Sequence, residues 1–98
     1  MPLFTTKEIN EQMKARPEWT KRAKTIRRTF QLAGFPESID FVRRVARKAQ
    51  TMNHHPDIDI RYDTVALALS THHEGGLTEM DFALAAHCDE IFARYFNA

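Results

Sequence analysis

Three histidines frame one stretch of this 98-residue chain: His54-His55-Pro56 opens it and His72 closes it. An imidazole titrates near neutrality, with an ordinary pKa of about 6.5, so it can give or take a proton at physiological pH. Several imidazoles at one place suit a reaction that moves protons without redox chemistry. They also suit zinc, which takes histidine nitrogens on adjacent strands, or a structural role capping backbone groups at a strand edge. Zinc is disfavoured because no carboxylate stands at a recognisable ligand spacing and no cysteine accompanies the histidines. A lone histidine would favour the structural role. Three that converge beside a proline-fixed turn favour acid–base catalysis. His73 points away from the site by parity and His87 lies off the apolar face of its helix, so both are expected to be structural.

Convergence depends on the intervening segment. Ile58, Ile60 and Tyr62 alternate with Asp57, Asp59 and Arg61; Val65, Leu67 and Leu69 alternate with Ala66, Ala68 and Ser70. This period of two predicts a β-hairpin. With Asp63-Thr64 as its loop, Tyr62 faces Val65, Ile60 faces Leu67 and Ile58 faces Leu69 on one side of the sheet. Continued, that register sets His55 opposite His72. Asp-Thr is a weak two-residue turn signal, so a loop one residue longer is the alternative.

The remaining elements position this hairpin. Thr5-Thr6-Lys7-Glu8 matches a capping box, predicting a short helix to about Lys14 that stops before Pro17. Strands are expected over 19–22 and 25–32, with Arg28 sharing the Ile26, Phe30 and Leu32 parity, either at the sheet margin or pointing into a polar site. Gly34 breaks the second strand and Pro36 suits a first helical turn. Ile39, Val42, Val45, Ala46, Ala49 and Met52 then recur at helical spacing, opposite Arg43, Arg44, Arg47 and Lys48. After the hairpin, Glu74-Gly75-Gly76 reads as a turn. Thr78 caps a last helix whose apolar face runs Leu84, Ala85, Cys88, Ile91, Phe92 and Tyr95, with Asp81 leading it. The order α-β-β-α-β-β-α predicts an α+β fold, a four-stranded antiparallel sheet with helices packed on one face, as a single domain over 1–98.

Composition fits a soluble domain, with 43% apolar and 28% charged residues. No apolar run approaches the roughly 20 residues of a membrane span, and the opening Met1-Pro2-Leu3-Phe4 lacks a signal-peptide pattern. A lone Cys88 excludes an internal disulfide, fits a reducing cytoplasm and is expected in the core. Residues 1–50 carry 12 Lys/Arg and 5 Asp/Glu, a net +7; residues 51–98 carry 2 and 8, a net −6. Solvated faces that complement each other, within or between subunits, explain this better than a patch for nucleic acid or an anionic ligand, since basic stretches alone are weak evidence and no nucleic-acid motif accompanies them. A chain this short buries a modest fraction of its surface, which favours a homo-oligomer.

Asn53-His54-His55-Pro56, Tyr62, Ser70-Thr71-His72, Gly76-Leu77-Thr78 and Asp81, with Trp19, Ile26, Arg28 and Phe30 upstream, resemble the pterin-4a-carbinolamine dehydratase family over roughly residues 19–95. The resemblance implies dehydration of 4a-hydroxytetrahydropterin to quinonoid dihydropterin in tetrahydropterin regeneration, linked to an aromatic amino acid hydroxylase. It implies His54, His55, His72 and Asp81 as catalytic residues and Gln50, Ser70, Thr71 and His72 around the pterin, with neither metal nor cofactor. His54 and His72 are the expected proton-exchange pair and His55 orients substrate. Asp81 fixes an imidazole tautomer or favours its charged form, besides capping. Backbone groups of Ser70-Thr71-His72 are expected to meet the pterin edge as an added strand would. The family pattern usually carries a glutamate where this chain has Gln50, and often an aromatic residue where it has Ile58. The resemblance also implies a homodimer or homotetramer and, as the alternative function, a non-catalytic dimerisation cofactor for a transcription factor.

Overall fold

The computed structural model describes residues 2–96. The elements are α1 (Thr6–Ala15), β1 (Thr20–Arg22), β2 (Thr25–Gln31), α2 (Phe35–Met52), β3 (Asp57–Arg61), β4 (Thr64–Leu69), a 3-10 turn (His72–Glu74) and α3 (Glu79–Tyr95). The strands form one antiparallel sheet in the order β1-β2-β4-β3. The α-β-β-α-β-β-α order expected from the sequence is therefore the order observed. Ile26 and Phe30 of β2 and Val65, Leu67 and Leu69 of β4 are buried in one core with Phe41, Val45, Leu84, Ala85 and Cys88 of the two long helices. Arg27, Thr29 and Gln31, on the alternate parity of β2, are exposed, as a sheet covered on one side requires. Phe30 sits at the centre, its ring 4.7 Å from Phe41 and 5.2 Å from Phe92.

The hairpin register differs from the expected one by two residues. Ile60 pairs with Val65 and Ile58 with Leu67, and the turn is Tyr62-Asp63, with Tyr62 at φ 53°. Extended beyond Asp57 and Ala68, this register sets His55 opposite Ser70 and His54 opposite Thr71; the expected pairing of His55 with His72 is not formed. The physical reason is the period of the pattern. A slip of two returns every side chain to its face, so alternation cannot distinguish the two registers. The edge position of β3 also leaves Ile58 38% and Tyr62 70% exposed rather than in the core.

Two further expectations are refined. The buried face of α2 is Ser38, Phe41, Val45 and Ala49, while Ala46 is exposed and Ile39 and Val42 are half-buried. Arg28 does not reach a ligand site. Its Nη1 donates to Asp89 Oδ1 at 2.7 Å and its guanidinium lies 4.2 Å over Phe30, while Arg16 and the Trp19 indole donate to the same carboxylate. Asp89 thus ties β2 and the α1–β1 connection to α3. It is also where the acidic half receives cations of the basic half.

Candidate active site

Asn53 ends α2 in the left-handed region (φ 51°), which asparagine tolerates better than most residues. Its N–H donates to the Gln50 carbonyl and the His54 N–H to the Ala49 carbonyl, at 3.1 and 3.0 Å, the crossed closure of a Schellman turn. Pro56 then forces His55 into extended backbone. The helix end, not the hairpin register, therefore aims His54 inward, and it is only 8% exposed.

The target of His54 is the start of α3. Thr78 is the N-cap: its hydroxyl accepts from Met80 N–H at 3.2 Å, and its own N–H donates to Asp81 Oδ2 at 2.9 Å. In an ordinary capping box that carboxylate faces water. Here Asp81 is fully buried, and Thr71 and Thr78 beside it are 2% and 0% exposed. Thr71 Oγ1 donates to Asp81 Oδ2 at 2.8 Å, and His54 Nε2 lies 2.7 Å from Asp81 Oδ1.

Proton directions in this cluster follow from its chemistry. A carboxylate only accepts, so the Thr71 proton goes to Asp81. Thr78 Oγ1, 2.9 Å from Thr71 Oγ1, must then donate to it. On the other oxygen, His54 must carry its proton on Nε2. Nδ1 is left as the free nitrogen, and it makes no hydrogen bond among the described residues. The chain Thr78 → Thr71 → Asp81 ← His54 thus fixes one tautomer before any substrate arrives.

His55 is exposed and its Nε2–H donates to Gln50 Oε1 at 3.0 Å. His72 and His73 begin the 3-10 turn and are exposed. No side-chain hydrogen bond joins His72 to His54 or His55 among the described residues. The structure therefore brings His54, Asp81 and Thr71 into one buried network and Gln50 against His55. His72 is exposed and Ser70 half-buried, and neither joins that network.

Thr71 is tied into the fold through both side chain and backbone. Its side chain is committed to Asp81, its N–H donates to the Gly76 carbonyl and its carbonyl accepts from Gly75. β4 stops at Leu69, and beyond it Thr71 pairs with Gly76 in an isolated antiparallel bridge. The holding role of Thr78 lay half-visible in its cap spacing; that the same carboxylate turns inward to His54 needed the tertiary structure. Among the described residues no group of three His, Cys, Asp or Glu side chains is placed to hold a metal ion, and no helix is long and apolar enough to cross a membrane.

Comparison with known proteins places this geometry in context. The profile of the family described as pterin 4 alpha carbinolamine dehydratase matches residues 2–91. A protein of Chloroflexus aurantiacus assigned that dehydratase name is 57% identical over 91 residues, covering 93% of this chain and 98% of its own length. One from Herpetosiphon aurantiacus is 50% identical over 93 residues, covering 95% and 97%. The crystal structure of a transcriptional coactivator/pterin dehydratase from Brucella melitensis superposes with a TM-score of 0.87 at 32% identity, over 91% of this chain and 97% of that one. A pterin dehydratase-like RuBisCO assembly factor of the alpha-carboxysome shares the fold alone, with a TM-score of 0.63 at 19% identity over 74% of this chain and 84% of that one.

Proposed function

The chain belongs to the pterin-4a-carbinolamine dehydratase family, and from that membership we propose that it removes water from 4a-hydroxytetrahydropterin by histidine acid–base catalysis. The product is quinonoid dihydropterin, and the step serves tetrahydropterin regeneration after an aromatic amino acid hydroxylase. The observation that carries the reading is the buried His54–Asp81 pair, which leaves one imidazole nitrogen unoccupied and its tautomer fixed.

In the reaction the C4a–oxygen bond breaks. The hydroxyl departs as water with a proton from an acid, and a pterin proton passes to a base, so only water is lost. His54 Nδ1 is the base: Asp81 holds the opposite nitrogen protonated and stabilises the imidazolium that forms. His72, exposed at the start of the 3-10 turn, is the acid that protonates the leaving oxygen. His55, braced by Gln50, orients the pterin, with Ser70 and the His72 backbone beside it. Gln50 braces that ring without charge, where a glutamate would also bias its protonation. Asp81, Thr71 and Thr78 act on the substrate only through His54.

The test is the dehydration of carbinolamine followed by absorbance, for the wild-type chain, His54→Ala and His72→Ala. Each variant should lose on the order of 10²–10⁴-fold in kcat. Dehydration by His72→Ala at the wild-type rate would remove it as the acid. A second reading is favoured by the description of the Brucella relative as a transcriptional coactivator. A partner-binding role of that kind on this scaffold should survive mutation of all three histidines, and catalysis should not.

A further inference from the structure

Away from His54, His55 and His72, a shallow, open cleft of about 300 Å³ between α2 and α3 is lined by Arg44, Arg47, Lys48, Thr51, Ile91 and Tyr95. A second lobe of about 190 Å³ shares Lys48, Ile91 and Tyr95 with it and adds His87, Glu90 and Arg94. We propose that this cleft is a binding site for the phosphate group of a small molecule, separate from the dehydration site.

Positions 44, 47, 48 and 51 recur at i, i+3, i+4 and i+7, which places them along one face of α2. Three of the four are cations, and like charges at these spacings oppose helix formation. Counter-charge within the fold is sparse. Asp40 reaches Arg44 only at 3.7 Å and Arg43 at 3.8 Å. Arg47, Lys48 and Arg94 form no ion pair among the described residues, although Glu90 lines the second lobe. By contrast, Arg16 and Arg28 of the same basic half are paired tightly to Asp89. Arg47, Lys48 and Arg94 are thus left for something outside the fold.

Arg44 is prepared for an anion. Its guanidinium lies 3.9 Å over the Tyr95 ring, while its buried Nε faces Asp40 Oδ2 at 3.7 Å. Stacking fixes the plane of the fork, so less side-chain freedom is lost when a phosphate is met. Phosphate is favoured over carboxylate because Arg44, Arg47 and Lys48 line one cleft, and a phosphate brings more negative charge and more acceptor oxygens than a carboxylate to meet them. Ile91 and Tyr95 supply an apolar shelf for the carbon part of an organic phosphate, and a cleft of this size lies at the small end of ligand sites.

The experiment is calorimetric titration of the full chain with inorganic diphosphate and, separately, with ADP at fixed ionic strength. One saturable site per chain is expected. Arg47→Ala/Lys48→Ala should weaken it at least about tenfold while leaving carbinolamine dehydration unchanged, and His54→Ala should leave binding unchanged. Tighter binding of ADP than of diphosphate assigns an organic phosphate, and equal binding a free anion; both support the site. Absence of saturation, wild-type affinity in the folded double variant, or binding confined to a long single-stranded oligonucleotide with a steep salt dependence overturns it.

Discussion

Replacing Asp81 by asparagine tests the core of the proposed mechanism with almost no change in shape. The carboxylate accepts from His54 Nε2 at 2.7 Å, Thr71 Oγ1 at 2.8 Å and Thr78 N–H at 2.9 Å. Asparagine offers one carbonyl and one NH₂. Turning the NH₂ toward Thr78 would oppose two donors, because a backbone N–H cannot accept. The carbonyl therefore stays with Thr71 and Thr78, and the NH₂ faces His54. His54 Nε2 must then accept, so the imidazole proton moves to Nδ1, the atom proposed as the base. Folding loses one charge-assisted contact, about 1–2 kcal/mol. Catalysis loses its base, on the order of 10²–10⁴-fold in kcat. KM should change little, because Asp81 is fully buried and does not meet the substrate. Absorbance kinetics measure the rate, and nitrogen NMR of the His54 ring reads the tautomer independently. A flipped tautomer with a wild-type kcat would refute His54 Nδ1 as the base, and an unflipped one would refute the proton directions assigned to the cluster.

Two further outcomes follow from the same buried groups. Thr71→Val removes the second donor to Asp81 Oδ2 and leaves the Thr78 hydroxyl without its acceptor; the cost is about 1–3 kcal/mol, a Tm lowered by roughly 4–8 °C per kcal/mol in a domain of this size, and an unchanged melting curve would sink it. Burial, reinforced by Asp89 and opposed by Arg28, pushes the Cys88 thiol up from 9.0 to about 12. The folded state therefore holds that proton longer than the unfolded chain. The resulting stability is fully present below pH 9 and is lost as pH rises toward about 12, at about 1.4 kcal/mol per pH unit. Urea unfolding of wild type against Cys88→Ala across that window cancels other titrations, and parallel curves would exclude the effect.

The parts of the fold set by local chemistry were legible in the sequence. Thr5 and Glu8, and Thr78 and Asp81, mark helix starts by their spacing, and Asn53 with Pro56 marks where α2 must end. What stayed hidden depends on partners distant in the chain. Arg28 on an apolar parity becomes intelligible only with Asp89, 61 positions away, and Trp19 beside them. The two-residue slip of the hairpin is invisible to a period-two pattern. The turn at Tyr62 uses positive φ, which a bulky residue seldom adopts. On α2 the neighbouring apolar stripes differ by about one position, and burial of Phe41 rather than Ala46 follows from the contact of Phe41 with Phe30 and Phe92.

The contact between His54 and Asp81 does not depend on the hairpin register. His54 is fixed by the closure of α2 and Asp81 by the start of α3, so the hairpin only joins two helix ends that already face each other. The start of α3 is itself held from outside: Phe4 N–H donates to the Leu77 carbonyl at 2.9 Å, Leu3 bridges Thr78, and the Phe4 ring stacks on Phe82 at 5.8 Å. Asp81, third in the helix, stands at the N-terminal end of α3, where acidic side chains stabilise the helix through its dipole. The same groups that satisfy an ordinary helix cap therefore immobilise a buried anion, and that anion orients the histidine. Stability and proton chemistry meet in one carboxylate, which is why the conservative exchange of a single oxygen for NH₂ should affect the reaction far more than the fold.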